Sequence, residues 1–336
     1  MSAMEFFNNH TKLFTTATLF FVALTLFVVI IPAISNQQRN APLPNAVPLS
    51  EDARKGKELF IANGCVACHT QQVRNIDMDR RWGSRPGIAA DYAGMTRMDI
   101  WRNTATLAGT ERTGPDLTNI GNRQPSLDWN LVHLYNPRIV VSTSIMPAYP
   151  WLFEYKTVLS ENDVAVSVPD AFLDGKPGKV VARKEALQLV AYLQSLKQVE
   201  LPDNTRKPAF LYKQAETKTD DTSNANSEAN GALLYADNCQ SCHQANGNGL
   251  PGAFPPLANS SVVTGNDLSL YVAIIMNGYD ARAEYGAMPP IGTMMGFSAE
   301  DIAAIINHER TSWGNNGTPV TAEEIQDILT LLDTEN

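Results

Sequence analysis

Cysteine is nearly absent. The 336-residue chain holds four, which excludes a disulfide-dense scaffold and makes their positions informative. An excess of positive charge is also missing: 26 Lys and Arg face 35 Asp and Glu, a formal net charge of −9, which argues against a nucleic-acid binder. There is no phosphate-cradling glycine loop, no G-x-S-x-G elbow and no H-E-x-x-H motif. With 44% apolar and 18% charged residues, the composition excludes a fully disordered, a collagen-like and a multi-span membrane chain. The length allows roughly two domains.

One long apolar run is present. Leu13 to Ile34 carries no charged residue, and about 20 such residues cross a bilayer core as a helix. It is longer than the apolar part of a cleaved signal peptide, so residues 1–35 are expected to be a retained anchor. Lys12 and Arg39 flank it, and charge barely sets its orientation. Pro42, Pro44 and Pro48 make an extended exit. A first soluble region, 49–197, closes on Arg183–Leu196, where Ala186, Leu189, Val190, Leu193 and Leu196 recur at helical intervals. Residues 198–230, with Pro202, Asp203, Asn204, Lys218, Asp220, Asp221, Asn224 and Asn226, read as a flexible linker, with a root-mean-square reach of about 30 Å as a coil. A second region spans 231–336. From Leu211 onward there are 16 acidic and four basic residues, an acidic surface suited to basic partners.

The two soluble regions begin alike, Gly56-Lys-Glu-Leu-Phe60 and Gly231-Ala-Leu-Leu-Tyr235, and each leads into a cysteine motif. The motifs are Cys65-Val-Ala-Cys68-His69 and Cys239-Gln-Ser-Cys242-His243, and they use every cysteine. C-x-x-C-H is the attachment signature of c-type haem. The spacing lets both thiols reach the two vinyl groups on one side of a porphyrin, with the adjacent His beneath the iron. A zinc site or two disulfides would leave the repeated His as coincidence, and a thioredoxin-like motif would need a βαβ context. Two covalently bound haem c groups are therefore expected, with Cys65, Cys68, Cys239 and Cys242 as thioethers and His69 and His243 on the irons.

Met/His ligation is one of the haem ligand sets and raises the potential. Met146, in Ser144-Ile-Met146-Pro147-Ala-Tyr149-Pro150, is the candidate of the first domain, because Pro147 disfavours helix at the residue before it. Met288, in Tyr285-Gly-Ala-Met288-Pro289-Pro290, is that of the second, with Met294 and Met295 as competitors. His10, His133 and His308 are the spare histidines, better read as ordinary side chains. Between His and Met lie Gly114-Pro115-Asp116-Leu117 and Phe254-Pro255-Pro256-Leu257, where the Pro115 and Pro256 carbonyls are plausible acceptors for the ring N–H of each histidine. Arg74, Arg80, Arg81, Arg85, Arg97, Arg102 and Arg112, with Trp82, Tyr92 and Trp101, suggest a docking surface or partners for haem propionates.

The stretches Gly64–Arg74, Arg112–Leu117, His133–Arg138 and Ser144–Trp151 resemble the membrane-anchored mono-haem subunit (CcoO or FixO) of cbb(3)-type cytochrome c oxidases, over about residues 1–197. The second region resembles a class I cytochrome c domain, through Phe254-Pro-Pro-Leu257, Met288-Pro-Pro290 and Ser312-Trp-Gly-Asn315. The resemblance implies an all-α fold, with one transmembrane helix and two mainly helical cytochrome c domains. In the family the Met matching Met146 is an axial ligand. In class I domains the last helix packs an aromatic against the first-helix glycine, a position near His308.

The implied function is electron transfer from a periplasmic donor such as a small cytochrome c, through the second domain and then the first. The acceptor is a haem-copper oxidase catalytic subunit, where oxygen is reduced. No catalytic residue is assigned to this chain. The implied location is a bacterial inner membrane, N-terminus cytoplasmic and both domains periplasmic. A nitric oxide reductase small subunit and a stand-alone membrane carrier stand as alternatives, and a dihaem peroxidase would need an open haem face.

Overall fold

The computed structural model describes residues 7–39, 42–44, 46–95, 107–173, 175, 177–202, 205–211, 223–282 and 284–334. Arg97, Trp101 and Arg102 of the arginine-rich insertion, and Asp203, Asn204, Lys218, Asp220 and Asp221 of the linker, lie outside them. Internal contacts divide the chain into residues 1–48 with 88–96, and residues 49–87 with 97–336.

In the first unit, α1 (His10–Leu24) is capped by Asn9, whose side chain accepts from Lys12 N. It widens into a π-helical stretch, Thr25–Ile30, and continues as α2 (Ile31–Arg39). Pro32 lacks the N–H that would bond Val28 and its ring displaces that carbonyl, so a wider register just ahead of it relieves the clash. The span His10–Asn36 is long and apolar enough to cross a membrane, and none of its apolar window is buried within the protein. Residues 88–96 hold one short helix, where Asp91 Oδ2 accepts from Ile88 N at 2.9 Å.

The second unit is mostly helical. In its first domain α3 (Glu51–Ala62) starts at Ser50, whose hydroxyl accepts from Ala53 N, with Glu51 and Asp52 in the first turn. Both features favour a helix start. It ends at Asn63, and α4 (Cys65–Cys68) follows directly. α5 (Leu127–Tyr135) buries Leu131, Val132 and Leu134. The closing helix α6 (Lys184–Ser195) buries Ala186, Leu189 and Val190, the face marked by the sequence period. One addition to the expected helices is a small antiparallel sheet of order β1-β3-β2, from β1 (Phe153–Lys156), β2 (Ala165–Val166) and β3 (Lys179–Ala182). Phe153 pairs with Ala182 and Tyr155 with Val180. These short β-branched and aromatic runs suit a half-buried pleat.

The second domain repeats the plan. α7 (Ser223–Asn238) leads into α8 (Gln240–His243). α9 (Leu268–Asn277), α10 (Ala299–Thr311) and α11 (Ala322–Thr334) bury Tyr271, Val272, Ile275, Ile302, Ile306 and Ile325 around one core. Ser298 and Asp301 form a reciprocal cap at the start of α10.

The likeness between the domains lies in one crossing. A Cβ on Gly56 would stand 1.9 Å from the Gln188 carbonyl oxygen and 2.8 Å from Tyr192 Cβ. A Cβ on Gly231 would stand 2.2 Å from the Ala304 carbonyl oxygen and 3.1 Å from His308 Cβ. In each domain the first helix therefore touches a later one, α6 or α10, through bare backbone. The residue four places on, Phe60 or Tyr235, packs its ring beside that crossing, 5.5 Å from Tyr192 and 5.3 Å from His308. His308 thus occupies the aromatic position. Gly56→Val is expected to destabilise the chain by at least ~1–3 kcal/mol, because backbone cannot yield as a side chain would. A lowered unfolding midpoint of the full chain in detergent checks this.

Candidate functional site

Each C-x-x-C-H motif closes one helical turn: His69 N donates to Cys65 O and His243 N to Cys239 O, both at 3.0 Å. The turn brings the two thiols and the imidazole onto one short arc. His69 Nδ1 donates to Pro115 O at 2.8 Å, and His243 Nδ1 donates to Pro255 O at 3.0 Å. The second acceptor is Pro255 and not the expected Pro256. Two adjacent prolines offer two carbonyls, and spacing alone does not choose between them. The bond fixes the tautomer and leaves Nε2 as the lone-pair nitrogen. Burial lowers the basicity of both rings, which keeps them in the neutral form that binds metal.

Gly114 shapes the first site. A Cβ there would fall 2.3 Å from His69 Cε1 and 2.7 Å from Nδ1, so only glycine lets the Pro115 segment lie flat against the ring. Asp116 is buried and anchors that segment. Its carboxylate accepts from Thr70 Oγ1 at 2.6 Å, Gln72 N at 2.8 Å and Thr118 N at 2.9 Å. Met146 is held by its backbone: Arg138 donates to its carbonyl at 3.1 Å and its N–H donates to Ser144 Oγ at 3.3 Å. Tyr149 is buried, its N–H donating to Leu134 O, and its hydroxyl lies in hydrogen-bond contact with the Cys65 thiol. Burial pushes that thiol up to about 11.

In the second domain Cys239, His243 and Met288 line one apolar cleft of about 120 Å³, with Tyr271, Ile275, Ile305 and Glu309 among its walls. Met288 is fixed by a two-bond bridge with Tyr279, at 2.8 and 3.0 Å. Met294 and Met295 line a different cleft with Arg80, Arg81 and Phe210, which separates them from His243. None of the four cysteines is disulfide-bonded, and among the described residues no cluster of three or more His, Cys, Asp or Glu could hold a bare metal ion. Paired thiols, a pinned neutral imidazole and an apolar cleft with a thioether on its wall together fit haem c.

Comparison with known proteins agrees. The family described as cytochrome c oxidase, mono-heme subunit/FixO, matches residues 4–174. The chain belongs to the FixO family. A cytochrome c family match follows at residues 228–313. Cytochrome c-552 of Thermus thermophilus is 36% identical over 112 residues, which cover 30% of this chain and 85% of that protein. The cytochrome c subunit of a quinone alcohol dehydrogenase from Gluconacetobacter polyoxogenes is 40% identical over 111 residues, covering 31% of this chain and 22% of that protein. As a FixO oxidase subunit continued by a cytochrome c domain, the chain is a membrane electron carrier whose domains are of the kind that bind haem c covalently.

The remaining expectations sort by burial. His133 stacks on Trp129 with ring centroids 4.5 Å apart, and His308 packs with Tyr235 and Trp313. Part of the arginine-rich insertion is tied into the fold. Arg74 and Arg112 clamp the buried Asp79 at 3.0 and 2.8 Å, and the buried Arg85 donates to Val199 O. Arg74 and Arg81 keep exposed side chains.

Two buried carboxylates, Asp116 and Glu309, were not assigned roles from sequence. Each is followed or preceded by a residue with a stronger motif, and only the fold reveals its surroundings. Glu309 accepts from the Tyr271 hydroxyl, and burial pushes its carboxyl up to about 7. A raised acid favours folding fully below its ordinary value of about 4.5, and that contribution is lost as pH rises through 7. Unfolding midpoints between pH 4 and 8 should fall across this window in the native chain and stay flatter in Glu309→Gln. For the first site, Gly114→Ala is expected to lower covalent haem per chain toward about half of the native level, since the added methyl displaces His69. Absorbance of the pyridine haemochrome against protein mass measures it.

Proposed function

We propose that this chain is the membrane-anchored dihaem subunit of a cbb(3)-type haem-copper oxidase. It passes electrons from a periplasmic donor, by way of the second domain and then the first, to the catalytic subunit. Cys65 and Cys68 would hold one haem c through thioethers, with His69 and Met146 as the side chains offered to its iron. Cys239 and Cys242 would hold the other, with His243 and Met288. Haem c supplies a reversible one-electron couple, raised by His/Met ligation. Pro115 and Pro255 hold each histidine in the neutral tautomer that binds iron, and the apolar walls around Met288 exclude water.

The anchor runs with its N-terminus in the cytoplasm and both domains in the periplasm. The acidic second domain faces the donor, since residues 231–336 hold 12 acidic and two basic residues, and opposite charge steers encounter. The single observation that carries the reading is the duplicated pinned histidine, in a chain of which about half matches an oxidase subunit family.

The test is purification of the native membrane complex through a tag on this chain. Two covalent haems per chain, co-purifying b-type haem and copper, and oxygen uptake driven by a reduced small cytochrome are expected. Two haems with no partner would indicate a free carrier, and nitric oxide consumption would indicate the reductase. Met146→His and Met288→His should each lower the midpoint potential of one haem and leave the other in place. A redox titration followed optically reads this out.

A further inference from the structure

The two C-x-x-C-H motifs lie in one compact unit, and one side chain of the first domain reaches the second motif directly. Trp129 Nε1 donates to the carbonyl of Ser241 at 2.9 Å, and Ser241 is the residue between Cys239 and Cys242 that precedes the second thiol. The same indole stacks on His133 one helical turn further on, with 4.5 Å between centroids and 11° between planes. A second contact runs alongside: Gln124 Nε2 donates to Cys242 Sγ at 3.6 Å. The base of this arrangement is rigid. Ser126 caps α5 by accepting from Trp129 N, and Asn130 donates to the carbonyls of Gln124 and Ser126 at 3.0 and 2.7 Å.

We propose that Trp129 is the positioning residue that couples the two domains, fastening the Cys239–His243 turn to α5, where its indole stacks on His133. The inference rests on the dihaem reading and adds to it the residue on which exchange between the domains depends. The exchange moves one electron: the second domain is oxidised as the first is reduced, with no bond made and no proton transferred. An indole suits the place because it supplies one N–H for the backbone and a wide flat face for the ring beneath it. Hydrogen bond and stack act together. The first fixes the distance of the second motif, and the second fills with π-surface the space that water would otherwise enter.

The test uses the full chain in detergent, loaded with haem. Trp129→Phe keeps a ring over His133 and loses the N–H; Trp129→Leu loses both. Haem per chain and both midpoint potentials are measured first, and they should match the native protein. Rapid photoreduction of a small fraction of the haem, followed optically, then gives the rate of redistribution between the domains. Hydrogen exchange at residues 239–244 reports whether the turn is still held. Slowing by roughly 10-fold or more in Trp129→Leu, an intermediate rate in Trp129→Phe and faster hydrogen exchange in both support the proposal, in line with the cost of small misplacements at a reacting centre. An unchanged rate in both variants, with two haems and native potentials, overturns it and leaves the dihaem reading standing. Fewer than two haems in the native chain overturns that reading, and this proposal with it.

Discussion

Two helix backbones meet at a glycine in each domain, and the geometry of both sites descends from that contact. Gly56 brings α3 against the carbonyl of Gln188, and Gly231 brings α7 against that of Ala304. A side chain at either position would force the helices apart by about the width of a methyl group, and packed interiors do not absorb such a change locally. The helix fixed by this crossing runs straight into the cysteine motif. Each thiol pair and its histidine are therefore placed by a contact made eight or nine residues before the first cysteine. Burial of aromatic rings at the same crossing, Phe60 with Tyr192 and Tyr235 with His308 and Trp313, ties the position of the motif to the core.

The histidine is then oriented by backbone rather than by another side chain. A proline supplies a carbonyl that accepts from Nδ1, and proline cannot itself donate, so the segment presents acceptors only. In the first domain Asp116 holds that segment through three donors, and Gly114 lets it lie against the ring. The methionines are likewise set by backbone contacts, Met146 through Arg138 and Ser144, Met288 through Tyr279. Side chains proposed to meet the metal are left free of competing hydrogen bonds, and positional accuracy comes from the main chain.

Much of this was legible in the sequence because it is written twice. The doubled Gly-x-x-x-aromatic start and the doubled C-x-x-C-H gave the number and class of the domains, and the apolar period of residues 186–196 gave the face of α6. What was not legible depended on choices between near-equivalent neighbours. Pro255 and Pro256 are chemically alike, and only the path of the chain puts the former carbonyl against His243. The β-sheet at 153–182 is built from strands of two to four residues, too short to show a period. The sequence likewise does not mark Asp79, which is buried, as the carboxylate that pairs with Arg112 33 residues further on.

The polar contacts described between the domains are individually weak, and that has a consequence for how they work together. Besides the Trp129 and Gln124 contacts they include Ser167 Oγ donating to Gly252 O at 3.2 Å and an Arg81–Asp237 pair at 3.2 Å whose side chains are 58% and 63% exposed. An exposed pair contributes about 0–1 kcal/mol, and a single polar bond not much more. Such contacts would not hold two separate proteins together at low concentration. Covalent connection changes this, since a linked partner is present at an effective concentration in the millimolar range. Weak bonds then suffice to favour one arrangement without locking it. A contact of that strength at Ser241 can keep the two motifs in register without locking the domains together.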